Sequence, residues 1–233
     1  MALAPQLIRA LPGLPLKRML WSLVRRREFH YETVTPRGWR ISGHTRDWIQ
    51  RTLYYFGLWE PNLTAWIESR LKRGDAFIDV GANVGYFTLL ASRCVGTDGN
   101  VVAIEAMPAI CEHLARHVRD NGISNTRVVN KAAVGPDAPS EVRLFWGEAG
   151  NLGSTGMLQQ DSASPSICVP ASTLADILTD AECRRARLMK VMSKAWRTRS
   201  SVGCNRKADV STTRWSSSLK SPASPLASSA ARG

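Results

Sequence analysis

The stretch Asp79-Val80-Gly81-Ala82-Asn83-Val84-Gly85 puts a carboxylate and two glycines at the end of a short apolar run, Ala76–Val80, just before a helical pattern. Residues of these types at this spacing suit the binding of a nucleoside. Gly81 lets the chain turn sharply, and its missing side chain lets a ligand approach the backbone. Gly85 permits close packing where the helix starts, with Ala82 and Asn83 completing the loop between the glycines. Free N–H groups at the helix N-terminus face the same space. Asp79 is expected at the mouth of the loop, accepting hydrogen bonds or attracting a cation. Glu105 closes the next apolar run, Val101–Glu105, at the position where an acidic residue takes both hydroxyls of a ribose.

The same loop excludes other ligands. A dinucleotide fingerprint needs Gly-x-Gly-x-x-Gly, whereas the chain reads Gly81-x-Asn83-x-x-Tyr86. A side chain at position 83 and a tyrosine at 86 would crowd a pyrophosphate. A Gly-Lys-Ser/Thr phosphate loop is missing too, so the ligand is read as a nucleoside without a phosphate bridge. An NAD(P)-binding oxidoreductase with an irregular fingerprint is the alternative that the missing glycines argue against. His113 and His117 stand four apart beside Cys111, with no third ligand nearby in sequence. They are read as a solvated helix face, and no metal site is expected. No catalytic base can be named among His30, His44, His113 and His117, so the catalytic residues are left unassigned.

The elements around these residues alternate in period. Pro61 opens a helix with Leu63, Trp66, Ile67 and Leu71 on one face, ended by Gly74. Strand Ala76–Val80, helix Gly85–Arg93, strand Val101–Glu105, helix Pro108–Asn121 and strand Arg127–Asn130 follow. Such alternation predicts parallel βαβ units and an α/β doubly wound sheet, with the strand C-termini along one edge. Residues 29–59 read as strand-like pieces rich in aromatics. Residues 141–147 alternate like a half-exposed strand, Ser172–Leu178 reads as a capped helix, and Arg187–Val191 begins another buried strand.

Together these segments resemble the S-adenosylmethionine loop and following strands of class I methyltransferases, and more narrowly the FkbM family. The residues that carry the resemblance are DVGANVG, VVAIEAMP and NKAAVG, with YFGLWEP upstream and GNLGSTGML downstream, over about residues 30–190. It implies a Rossmann-like sheet and S-adenosyl-L-methionine as cofactor, held by Asp79, Gly81, Ala82, Asn83, Gly85 and Glu105. It further implies methyl transfer to a hydroxyl on a sugar or secondary metabolite, that is, a small-molecule or glycan acceptor.

Charge divides the chain into three parts. Residues 1–73 carry +8, residues 74–190 carry −3 and residues 191–233 carry +7, within a total of +12. The patterned middle is mildly acidic, so no nucleic-acid partner is expected. Residues 1–28 form a basic leader broken by Pro5, Pro12 and Pro15, in which Met19, Leu20, Leu23 and Val24 share a short apolar face. Weak contact with an anionic membrane surface is the most this face suggests. No transmembrane segment and no secretory signal are read, and a cytoplasmic location is expected.

The domain is expected to run over 29–190 and to be incomplete there. Beyond Lys190 the chain turns Ser/Arg-rich, with 11 serines in 191–233. In the FkbM family such a strand usually continues into Ile/Val-Asp-Val-Glu-Gly-x-Glu. The codons GTG ATG TCG AAG GCG TGG AGG, one synonymous choice for Val191–Arg197, give Asp-Val-Glu-Gly-Val-Glu when read from the third base. Residues 191–233 are therefore expected to be an out-of-frame, disordered tail, and the chain to be poorly stable and close to inactive. A nucleotide sequence whose shifted frame encodes no such motif would end that reading.

Overall fold

A computed structural model describes residues 27–146 and 165–192. The leader face at 19–24, the loop at 150–156 and the tail from 193 lie outside these described residues, along with the expectations made for them. The chain begins with an antiparallel hairpin, β1 (His30–Val34) and β2 (Arg40–His44). Helix α1 (Trp48–Phe56) follows, where strand-like pieces were expected. Its signals are local: the Asp47 side chain accepts the Gln50 N–H, and Gly57 ends the helix in the left-handed region at φ 66°. The run of aromatics hides its period, because α1 buries Leu53, Tyr54 and Tyr55 in sequence. Helix α2 (Pro61–Arg70) starts at its proline as expected.

The βαβ units then appear close to their expected bounds: β3 (Ala76–Val80), α3 (Tyr86–Val95), β4 (Asn100–Ile104), α4 (Pro108–Asp120) and β5 (Thr126–Val129). β6 (Ala132–Val134), β7 (Glu141–Phe145), β8 (Ser166–Thr173), α5 (Leu174–Ile177), α6 (Asp180–Arg185) and β9 (Ala186–Val191) complete the described elements. Four strands make a parallel sheet in the order β5-β4-β3-β9. The chain moves outward from β3 to β5 and then returns to the other side of β3. That reversal makes the sheet doubly wound, of Rossmann-like type, and puts the switch point at the C-terminal ends of β3 and β9.

Strand alternation decides the two layers. Phe77, Val101 and Leu188 pack with α1, α2 and α3 on one face. Ile78, Val80, Val102 and Ile104 pack with Leu174, Ile177 and Leu178 on the other. β3 is buried at all five positions, as the central strand of a covered parallel sheet must be. A second, three-stranded sheet, β6-β8-β7, stands beside this one. β8 replaces part of the helix expected over 172–178, which shrinks to Leu174–Ile177 with Thr173 as its cap. Pro170 and three further exposed positions break the alternation that would reveal β8, and its ladders to β6 and β7 supply the order instead.

Candidate functional site

The loop from Gly81 to Gly85 leaves β3 at the switch point and enters α3. Gly81 (φ 70°) and Gly85 (φ 92°) both take the left-handed region, as does Asn83 at φ 51°. Glycine adopts that region without strain, and asparagine is one of the few other residues that tolerate it. A Cβ on Gly85 would collide with Leu114 Cδ1 of α4, which accounts for the close packing expected there.

Every backbone N–H of the loop is occupied within the protein. Gly81 and Ala82 both donate to the Ile104 carbonyl, at 2.9 and 3.0 Å. Asn83 donates to Glu105 Oε2 at 2.8 Å, Val84 to the Asn83 side chain at 2.7 Å, and Gly85 to the Ala82 carbonyl at 3.0 Å. The donors expected to face a ligand at this loop are thus turned inward. A pyrophosphate cradle depends on such donors, and here they are engaged.

Glu105 lies just past β4, with its carboxylate across the loop. Its Oε1 accepts the Met107 N–H at 3.0 Å, while Oε2 takes Asn83. The residue is 9% exposed. Each carboxylate oxygen keeps a second acceptor site, which is what a vicinal diol requires. Burial raises the Glu105 pKa above the usual carboxylate value, and the two backbone N–H bonds oppose that shift.

Asp79 is not at the mouth. It is the penultimate residue of β3 and has no exposed surface. One oxygen accepts Lys190 Nζ at 2.6 Å and the other the Thr88 hydroxyl at 2.8 Å. The reason is strand alternation: position 79 shares the inward face of Phe77, where α2 and α3 close over it. Lys190 was not singled out as a site residue, because only the β3–β9 register sets it opposite Asp79.

His117 also differs from expectation. It is buried at 1% exposure rather than solvated. Its Nδ1 is 2.8 Å from the Val84 carbonyl, and its Nε2 accepts the Ser42 N–H at 2.9 Å. This pattern requires a neutral ring with its proton on Nδ1. His117 therefore pins the loop to the β1–β2 hairpin. His113 Nε2 lies 3.0 Å from the Ser42 hydroxyl. Among the described residues, no group of three His, Cys, Asp or Glu side chains is placed to hold a metal ion.

Burial, with His117 and Arg116 nearby, lowers the His113 pKa from 6.5 to about 4. Burial lowers that of His117 too. The unfolded chain then binds protons that the folded one refuses, so stability falls as pH drops from the ordinary histidine value and the loss is complete below about 4. With the partial exposure of His113 discounted for solvent screening, its share near pH 5 is about 1 kcal/mol. Urea unfolding near pH 7.5 and pH 5 should show this loss, and a smaller one in His113→Asn. Equal losses in the two proteins would contradict it.

The family model that matches covers this loop: it is Protein-L-isoaspartate(D-aspartate) O-methyltransferase, over residues 60–137. A protein-L-isoaspartate O-methyltransferase of Ignicoccus hospitalis is 30% identical over 71 residues, covering 30% of this chain and 34% of that protein. A 23S rRNA (uracil(1939)-C(5))-methyltransferase of Psychrobacter arcticus is 39% identical over 56 residues, covering 24% of this chain and 11% of that one. A solved SAM dependent methyltransferase from Aquifex aeolicus aligns at 25% identity and a TM-score of 0.31, covering 38% of this chain and 45% of that chain.

The matched segment resembles methyltransferases, and it holds the glycine loop, Glu105 and α4. The chain spans about a third or less of the length of the curated relatives it matches. Among the described residues, no helix is long and apolar enough to cross a membrane.

Proposed function

We propose that the chain is an S-adenosyl-L-methionine-dependent O-methyltransferase of FkbM type, acting in the cytoplasm on a hydroxyl of a sugar or secondary metabolite. One observation carries the cofactor reading. All five loop N–H groups from Gly81 to Gly85 are bonded inside the protein, while Glu105 keeps acceptor sites at the next strand end. A loop without free donors fits a nucleoside that has no phosphates, and a carboxylate with spare lone pairs fits its ribose. The O-methyl reading draws on the matched family model, which is an O-methyltransferase. The FkbM-like segments and the mildly acidic middle of the chain favour a small-molecule or glycan acceptor over nucleic acid.

When bound, the cofactor supplies an electrophilic methyl group on a sulfonium. The loop residues Gly81, Ala82, Asn83 and Gly85 fix the backbone against which the nucleoside lies. Glu105 orients the ribose and adds negative charge to a largely desolvated site, where charge interactions are stronger than in water. Asp79 acts from beneath the loop, through Lys190 and the Gly81 carbonyl. Holding donor and acceptor in line is the main contribution a protein makes to such a displacement.

Thermal shift on the full chain tests the reading. S-adenosylhomocysteine at a hundred times its Kd should stabilise the fold by about 2.7 kcal/mol, and NADPH should not. No stabilisation of a folded sample by S-adenosylhomocysteine, or stabilisation by NADPH instead, would reject it. A second reading, an inactive remnant of such an enzyme, is favoured by the change in composition at Val191. Cofactor binding without methyl transfer to any member of a broad hydroxyl-bearing panel would support that remnant reading, and turnover would refute it.

A further inference from the structure

Lys190 sits on β9 in register with Asp79 on β3 and is 8% exposed. Its ammonium donates to Asp79 Oδ1 at 2.6 Å and to the Gly81 carbonyl at 3.2 Å. It stands 5.3 Å from the centroid of the Phe87 ring. Burial raises the pKa values of Glu105, just past β4, and of Glu60, just before α2, and the Lys190 charge opposes both rises. The contact partner of the ammonium among the acids is Asp79, at the base of the glycine loop. A buried lysine is costly unless it is paired, and the neighbouring inward position of β9 is an ordinary leucine, Leu188. The charge at position 190 answers the buried carboxylate of Asp79.

We propose that Lys190 is a specificity-determining residue that sets how strongly the site favours a cationic methyl donor over its neutral demethylated product, a step that rests on the cofactor reading given under Proposed function. With Asp79 neutralised by Lys190, the ion pair beneath the loop presents no net charge to the sulfonium. The charge of Glu105, at the other side of the loop, is then left to distinguish sulfonium from thioether. This tempers the preference for the donor and keeps the product able to compete. The bond to the Gly81 carbonyl also gives Lys190 a positioning role, since it holds the turn that the cofactor backbone contact uses.

Calorimetry on the full chain with S-adenosylmethionine and S-adenosylhomocysteine tests this, comparing wild type, Lys190→Met, Asp79→Asn and the double variant Asp79→Asn/Lys190→Met. The readout is the ratio of the two Kd values. A unit charge a loop's thickness away, at intermediate dielectric, shifts that ratio by about tenfold. Lys190→Met should move it about tenfold toward the donor and Asp79→Asn about tenfold toward the product. The double variant, neutral again, should return to within about twofold of wild type. A purely structural lysine would weaken both ligands alike and leave the ratio unmoved, and that result overturns the proposal. If Lys190→Met does not fold, Asp79→Asn and the double variant decide it by the same criterion. Wild-type protein that binds neither ligand overturns the cofactor reading and this proposal together, whereas binding with an invariant ratio removes only the role of Lys190.

Discussion

Asp79→Ala should destabilise the fold by about 3–5 kcal/mol, the cost of leaving one member of a buried ion pair alone. For a domain of this size that is a fall in Tm of about 6–20 °C. The wild-type carboxylate has no exposed surface, and both its oxygens are bonded, to Lys190 and Thr88. Alanine strands the ammonium among apolar neighbours, with the Gly81 carbonyl as its remaining close acceptor. Removing both charges together should be far milder, because two apolar side chains of similar volume replace a pair whose attraction is largely offset by desolvation. Asp79→Leu/Lys190→Met is therefore expected to melt well above Asp79→Ala. Thermal and urea unfolding of the two variants and wild type give the comparison. If Asp79→Ala melts with the wild type, the pair is not the anchor of the sheet that its burial makes it.

Glu105→Ala should weaken cofactor binding by about a hundredfold or more. Each charge-assisted hydrogen bond to a ribose hydroxyl is worth about 1.5–3 kcal/mol, less where water substitutes. The loss includes the loop itself, because the Asn83 and Met107 N–H groups lose their acceptor. Asn83 holds φ at 51°, a conformation that the bond to Glu105 helps to fix. Glu105→Gln keeps one acceptor oxygen and should fall between wild type and alanine. Calorimetry with S-adenosylhomocysteine measures both. Unchanged affinity in a folded Glu105→Ala protein would remove the ribose assignment. Acidification supplies an independent check with the same sign. Burial raises the Glu105 pKa, so the carboxylate takes up its proton above the ordinary carboxylate value and binding should begin to weaken there, earlier than an exposed glutamate would allow.

Much of the central domain is legible along the chain because its signals are local. The apolar run of β3, the two loop glycines, Pro61 and Pro108 at helix starts, and Gly122 after α4 each act within a few residues. Alternating periods of that kind force parallel strands, and parallel strands gather their C-termini. Helix α1 was missed in favour of strand-like pieces: its caps, Asp47 and Gly57, are local signals, but its aromatic run masks the period. β8 was not legible, since its order comes from β6 and β7 rather than from its own residues.

By itself, the sequence determined that a nucleoside-type loop would sit between a buried strand and a helix, with an acidic residue at the next strand end. Only the tertiary structure decided which way those groups face. Lys190 meets Asp79 across a separation of 111 residues, and His117 meets Ser42 across 75. Such pairs depend on which strands become neighbours and on which helix face turns inward, and a shift of one position in either would reverse them. A side chain's partner at this range is fixed by the packing of whole elements, not by the spacing of residues along any one of them.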